Sequence, residues 1–230
     1  MAGHTTLILA AHPDDEVLGC GGTIARLVDE GQAVHVVIVA EGATSRDAAR
    51  DRAARAGELS ALAAAAHCAG DILGAASVDL LDFPDNRMDS LDRLDIVKAI
   101  EALVARHAPE MVLTHHAGDV NIDHRRLHDA VVTACRPQPG HPVRRLLFFE
   151  VASSTEWQPP GSAPAFRPTV FVDIAETLDR KMEALQAYAS EIRPWPHSRS
   201  LEAVAHLARW RGATVGRAAA EAFMLGREII

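Results

Sequence analysis

Residues 5–24 read Thr-Thr-Leu-Ile-Leu-Ala-Ala-His-Pro-Asp-Asp-Glu-Val-Leu-Gly-Cys-Gly-Gly-Thr-Ile. The apolar run from Thr5 to Ala10 has β character and stops at Ala11-His12-Pro13-Asp14-Asp15-Glu16. A strand that ends this way puts ionisable side chains at the C-terminal edge of a sheet, where open α/β folds build their sites. Pro13 stiffens the turn. Helix-like sequence resumes near Gly22, so Asp14, Asp15 and Glu16 are expected in a loop. Three clustered acids repel one another unless a cation offsets them. A His with carboxylates two and three residues on suits a Zn²⁺ site of nitrogen and oxygen ligands, which keeps a position open when the protein supplies three of them.

Outward from this stretch, strands and helices alternate. Thr23 to Glu30 has helical character and ends at Gly31; Ala33 to Ala40 is a continuous apolar strand of the kind that suits a sheet covered on both faces. A polar loop, Glu41 to Arg46, leads into an Ala-rich helix expected from Asp47 to about Cys68, closed by Gly70. Ser77 to Phe83 reads as a third strand running into Pro84-Asp85-Asn86-Arg87. Leu91 to His107 carries an apolar stripe at helical spacing, and Met111 to Thr114 is a fourth strand. A helix near Arg125 to Cys135 follows, then strands at Arg144 to Val151 and Thr169 to Ile174 separated by a Pro/Gly/Ser-rich loop, Ser153 to Pro168. That loop is long enough to be functional. Two helices, about Ala175 to Ala189 and Ser200 to Ala219, close the chain, with Arg193-Pro194-Trp195-Pro196-His197-Ser198-Arg199 between them. The pattern predicts an α/β, Rossmann-like, doubly wound and mostly parallel sheet with helices on both faces, a single domain over residues 1–230 with C-terminal helices.

Composition narrows the function. With 230 residues and 48% hydrophobic content the chain can bury one sizeable core. A formal charge of −8 and the lack of any Lys/Arg-rich run exclude a phosphate-neutralising nucleic-acid surface. No apolar run approaches a membrane span, and no basic segment with a signal-length apolar stretch opens the chain, so a cytoplasmic location is expected. Cys20, Cys68 and Cys135 are odd in number and far apart, which reads as free thiols.

A second constellation follows the fourth strand: His115-His116-Ala117-Gly118-Asp119-Val120-Asn121-Ile122-Asp123-His124, with His128 one helical turn on. It puts a distant imidazole and several polar groups on the edge that already holds His12 and Asp15, so a third metal ligand is at hand. Together the two stretches resemble the signature of the PIG-L / LmbE-like family of zinc-dependent N-acetylglucosaminyl deacetylases, and weaker C-terminal patterns (Pro196 to Ser200, Arg211-Gly212, Ala220 to Phe223) extend the likeness over most of the chain. The resemblance implies one Zn²⁺ per subunit held by His12, Asp15 and His124, with Asp14 as general base. Many members have His-Pro-Asp-His where this chain has Asn121-Ile122-Asp123-His124, so the oxyanion donor here is Asn121, His197 or the metal alone. Asp123 or Asp119 is placed to accept the second ring N–H of a ligating His, with a helix cap as the alternative for Asp123.

The expected reaction removes the N-acetyl group from an amino-sugar-containing small molecule or glycoconjugate. Arg46, Asp85 and His197, on polar loops at the same edge, are candidates for holding the sugar, each alternatively a turn or surface residue. The Trp-containing C-terminal region and the Pro-rich loop suggest a homo-oligomer. Two other readings compete. A zinc-dependent carbohydrate-binding protein without turnover would have no use for a base beside the metal. A dinucleotide-binding reading of Gly19-Cys20-Gly21-Gly22 with Glu41 fails at Ile24, where the third Gly should stand; the glycines instead permit close helix approach.

Overall fold

Strand β1 (Thr5–Ala10) is buried on both faces, and its side chains divide by parity. Ile8 packs into one apolar cluster, and Leu7 and Leu9 pack into another on the opposite side of the sheet. Strand β2 (Ala33–Ala40) repeats the division, with Val34, Val36 and Ile38 on the first side and Val37 and Val39 on the second. This is why both strands read as unbroken apolar runs. The computed structural model describes residues 4–230; residues 1–3 of the expected 1–230 domain lie outside them.

The sheet has seven strands in the order β3-β2-β1-β4-β5-β7-β6, where β3 is Ser77–Phe83, β4 Met111–His115, β5 Arg145–Phe149, β6 Val170–Asp173 and β7 Ala220–Glu228. The first five in that order are parallel; β7 is antiparallel to both β5 and β6. Helices α1 (Asp15–Asp29), α2 (Ala56–Leu73) and α5 (Leu178–Ala187) bury residues in the first cluster. Helices α3 (Arg93–His107) and α4 (Ile122–Ala134) bury theirs in the second. A last helix, α6 (Leu201–Ala213), packs beside β7 and β6. The doubly wound, mostly parallel architecture is as expected. Among the described residues no helix is long and apolar enough to cross a membrane.

Three local expectations are corrected. Helix α1 begins at Asp15, so Asp15 and Glu16 lie in its first turn and Asp14 is its N-cap rather than part of a loop; two acids there complement the positive end of the helix dipole. The glycines that suggested a later start make a local break instead, at Cys20 (φ −150°, ψ 22°), and allow the helix to lie close on the sheet. A β-carbon on Gly19 would lie 2.4 Å from the Phe149 ring, and one on Gly22 would lie 2.8 Å from Ile174. Helix α2 starts at Ala56, not Asp47, because Asp47, Arg50, Arg52 and Arg55 are spent on ion pairs with Arg55, Glu41, Asp82 and Glu58 in an irregular loop. Finally, α6 ends at Ala213 and the chain returns as β7.

Candidate metal centre and cleft

Every loop that leaves the C-terminal edge of the parallel strands contributes to one polar cleft of about 200 Å³. Its walls include His12 and Asp14 after β1, Ser45 and Arg46 after β2, Asp85 and Asn86 after β3, Asn121 and His124 after β4, and Ser153 and Ser154 after β5. Glu191 and Arg199, from the segment between α5 and α6, close it.

At its floor, His12 Nδ1, Asp15 Oδ2 and His124 Nε2 converge. The Nδ1 to Oδ2 distance is 3.3 Å, Oδ2 to Nε2 is 3.1 Å, and the two ring nitrogens are 3.3 Å apart. The three residues form one of the groupings that could hold a metal ion. The other ring nitrogens face away, onto carboxylates. His12 Nε2 is 3.0 Å from Asp123 Oδ2 and 3.4 Å from Asp85 Oδ1; His124 Nδ1 is 3.2 Å from Asp119 Oδ1. With each outer nitrogen protonated toward its carboxylate, the lone pairs of His12 Nδ1 and His124 Nε2 point at the shared space. Two inward lone pairs beside a carboxylate oxygen fit a divalent cation of the Zn²⁺ type.

The outer carboxylates are fixed in turn. Asp119 accepts from Ser154 Oγ, from Thr155 Oγ1 at 2.6 Å and from the Asn121 N–H at 2.9 Å. Asp123 accepts the N–H groups of Asn86 at 2.6 Å and Met88 at 2.9 Å, tying α4 to the turn after β3. Asn121 is the cap of α4: its Oδ1 accepts the Asp123 N–H at 2.8 Å, and its Nδ2 donates to Asn86 Oδ1 at 2.9 Å. The cap role considered for Asp123 thus belongs to Asn121.

The electrostatics are those of a cation site. Burial pushes the His124 imidazole down, but Asp15 and Asp119 outweigh it and lift it to about 9. Burial lowers His12 too, and Asp123 and Asp15 hold it well above its usual value. Asp15 goes the other way, with His124 and His12 overcoming burial to keep it well below the carboxylate range. Asp15 and the outer aspartates thus make both imidazoles more basic, and so better donors to a cation.

Asp14 stands apart from this cluster. It is buried, with Arg199 Nη1 3.1 Å from its Oδ2, yet neither carboxylate oxygen has a hydrogen-bond partner. Burial raises its pKa well above the usual value against the pull of Arg199. Its backbone is left-handed, φ 96°. Four non-glycine residues among those described have positive φ, and three of them, Asp14, Asn86 and Ser153, line the cleft. Such strain gathers where the surrounding structure over-determines a site.

The sugar-binding candidates separate. Arg46 lines the cleft, bonded to Glu58 at 3.0 Å and Glu191 at 3.1 Å. Asp85 also lines it, accepting the Ser45 N–H at 3.0 Å. His197 does not reach the wall: its Nδ1 accepts the Arg199 N–H at 3.0 Å, and its ring meets Trp157 edge-on. Arg199, two residues on, occupies the wall instead and donates from Nε to Ser153 Oγ at 3.1 Å. His115 stacks on His124 with centroids 3.9 Å apart and accepts the Ala11 N–H; His116 turns to Pro164 O and His128 to His115 O. Sequence reasoning missed Arg199, Glu191, Ser153 and Ser154 as site residues. Arg199 carried a signal in its place in the Arg193–Arg199 segment, and Ser153 and Ser154 in opening the long loop Ser153 to Pro168; Glu191 carried none.

A family model described as PIG-L, GlcNAc-PI de-N-acetylase, matches residues 7–135. Among known proteins, the chain is 30% identical over 190 residues to the uncharacterized deacetylase YaiS of Escherichia coli K12, covering 80% of this chain and 90% of that one. It is 30% identical over 234 residues to the 1D-myo-inositol 2-acetamido-2-deoxy-alpha-D-glucopyranoside deacetylase of Mycobacteroides abscessus, covering 84% and 83%. It is 29% identical over 208 residues to the 4-oxalmesaconate hydratase of Pseudomonas putida KT2440, covering 84% and 76%.

Proposed function

Because the chain belongs to the PIG-L family of GlcNAc-PI de-N-acetylases, we propose that it hydrolyses the N-acetyl group of an amino-sugar-containing small molecule or glycoconjugate, with Asp14 as the base. The observation that carries this reading is the pair of aspartates with opposite fates: Asp15 turned into the convergent donors, Asp14 buried beside Arg199 at the cleft with no hydrogen bond to either oxygen. His12, Asp15 and His124 would hold a divalent ion, in this reading Zn²⁺, one per chain. When bound, such an ion supplies Lewis acidity to a carbonyl and to water.

The chain's own groups do the rest. Asp14 takes the proton of the attacking water at a carboxylate oxygen and returns it to the leaving amine, and a carboxylate raised by burial is a better proton acceptor than an ordinary one. Arg199 keeps that carboxylate turned into the cleft. Asp123 and Asp119 hold the two imidazoles in the tautomers that present lone pairs inward. Asn121 lines the cleft, and the second N–H of its Nδ2, beyond the one given to Asn86, would be the donor to the acetyl oxygen. Arg46, Asp85, Asn86, Ser45 and Ser153 offer the alternating donors and acceptors a sugar ring needs.

A second reading has a specific observation behind it, the likeness to a 4-oxalmesaconate hydratase at an identity close to that of the deacetylases. Recognition of a substrate bearing several carboxylates calls for uncommitted cations. Both guanidinium groups of the cleft are already committed, Arg46 to Glu58 and Glu191 and Arg199 to Asp14, which favours a neutral, hydroxyl-rich ligand. The test offers the Zn²⁺-loaded protein N-acetylglucosamine, N,N′-diacetylchitobiose and N-acetylglucosaminyl-inositol on one arm and 4-oxalmesaconate on the other. Release of acetate and free amine from the first arm is the expected result. Hydration of 4-oxalmesaconate with no acetate from any N-acetyl sugar would replace this reading with the second.

A further inference from the structure

Asp14 is an N-cap that does not cap. An Asp in that position normally has extended φ/ψ and turns its carboxylate onto an N–H of the first helical turn. Here the carbonyl of Asp14 accepts the first helical bonds, from Val17 at 3.1 Å and Leu18 at 2.9 Å, while the side chain bonds to no backbone N–H. A left-handed non-glycine residue is strained and persists only where neighbours hold it. The neighbours here are Glu16 and Tyr188. Glu16 Oε2 turns back to accept the Asp14 N–H at 3.2 Å, as the acidic residue of a capping box does, but without the reciprocal bond from the cap. Its other oxygen, Oε1, accepts from Tyr188 Oη at 2.6 Å. Tyr188 ends α5, is fully buried among the apolar residues of the first cluster, and stands 172 positions away in sequence from Glu16. On the opposite side, Pro13 packs against Gly42, where a β-carbon would lie 2.6 Å from Pro13 Cδ.

We propose that Tyr188 and Glu16 are positioning residues that hold Asp14 in its left-handed conformation, so that its carboxylate projects into the cleft instead of capping α1. This rests on the reading of Asp14 as the base. Neither residue touches the cleft, since neither is among the residues that line it. Tyr188 brings the C-terminal half of the chain to bear on the first turn of α1 through one phenolic hydroxyl. Removing that hydroxyl leaves a buried carboxylate oxygen short of a donor and frees Glu16 to move, after which Asp14 relaxes to the cap geometry its residue type prefers.

The test compares crystal structures of the Zn²⁺-loaded wild type and Tyr188→Phe, and the turnover of both in the presence and absence of Asp14→Asn, on whichever N-acetylglucosamine substrate of the panel above is hydrolysed fastest. In Tyr188→Phe, Asp14 is expected at negative φ with its carboxylate on an N–H of α1, and zinc content is expected unchanged. A Tyr188→Phe structure that keeps Asp14 near its original φ overturns the proposal, with or without a substrate in hand. In turnover, kcat falls about ten- to hundredfold with KM within about twofold, the scale of a misplaced reacting group. In the Asp14→Asn background the same substitution has no further effect beyond about twofold, because it acts only through the carboxylate. Wild-type kcat in Tyr188→Phe, or an undiminished loss in the Asp14→Asn background, would also overturn it. If Tyr188→Phe does not fold, Glu16→Gln is read in the same way. Asp14→Asn alone within about threefold of wild type defeats the base reading itself, whereas an inactive Asp14→Asn beside a fully active Tyr188→Phe defeats only the positioning role.

Discussion

Asp119 and Asp123 stand four residues apart and each faces the outer nitrogen of a different imidazole. Both were legible as candidates from their spacing to His124, but which aspartate serves which histidine was not, because that depends on how the turn after β3 meets α4. Replacing either carboxylate by its amide leaves the inner donors in place and loosens their orientation. Asp119→Asn is therefore expected to weaken Zn²⁺ binding by about 10- to 100-fold, measured by competition with a chromophoric chelator. His124→Ala removes an inner donor and should leave the purified protein without stoichiometric metal by elemental analysis; full occupancy would remove His124 from the ligand set. The thiols provide a test of burial at the same scale. Burial pushes Cys135 up to about 12 and Cys20 well above its usual value, so both stay protonated at pH 8, while Cys68 is exposed. A disulfide-exchange reagent at that pH should modify one thiol per native chain, and a Cys68→Ser variant should modify none.

The break in α1 explains an element that sequence reasoning did not find. At Cys20 the helix leaves its regular path, and the N–H groups of Gly22 and Thr23 point out of it toward the Glu221 carboxylate, at 3.0 and 2.7 Å. Lys181 of α5 completes the buried group, donating from Nζ to Glu221 at 2.5 Å and to the Leu18 carbonyl at 2.9 Å. Glu221 lies in β7, whose Ala-Glu-Ala start favours helix by intrinsic propensity. Pairing with β5 and β6 on its two sides overrides that preference, which is why the segment beyond the expected helix Ser200 to Ala219 showed no strand signal. Glu221→Ala leaves the Lys181 ammonium buried and two N–H groups unpaired, and should cost about 3–5 kcal/mol in urea unfolding. Gly19→Ala forces a methyl into the buried Phe149 ring and should cost about 1–3 kcal/mol. A wild-type midpoint for Gly19→Ala would mean that α1 is free to move off β5.

At the scale of the molecule, the doubly wound, mostly parallel class was readable because each parallel strand carries its own apolar run and each crossover its own helix, whereas the order of the strands in the sheet was not. The convergence of the candidate metal donors was readable for a related reason: His12 and Asp15 are three residues apart, and His124 sits in a dense run of polar residues directly after a strand. The rest of the cleft was not. Glu191, Arg199 and Ser153 come from irregular segments with no periodicity, and they meet Arg46 and Asp14 only because α5 packs against α1 and α2. What the fold assembles from these distant parts is a set of candidate metal donors next to a separate buried carboxylate paired with Arg199, and the proposed activity needs both at once. The most direct test measures acetate release from an N-acetylglucosamine substrate by Zn²⁺-loaded wild type and Asp14→Asn, with metal content determined on the same samples. Equal metal content and a rate lower by about 10² to 10⁴ in the variant are expected. An Asp14→Asn enzyme that binds Zn²⁺ and hydrolyses the substrate within about threefold of wild type would contradict the role of Asp14 as the base.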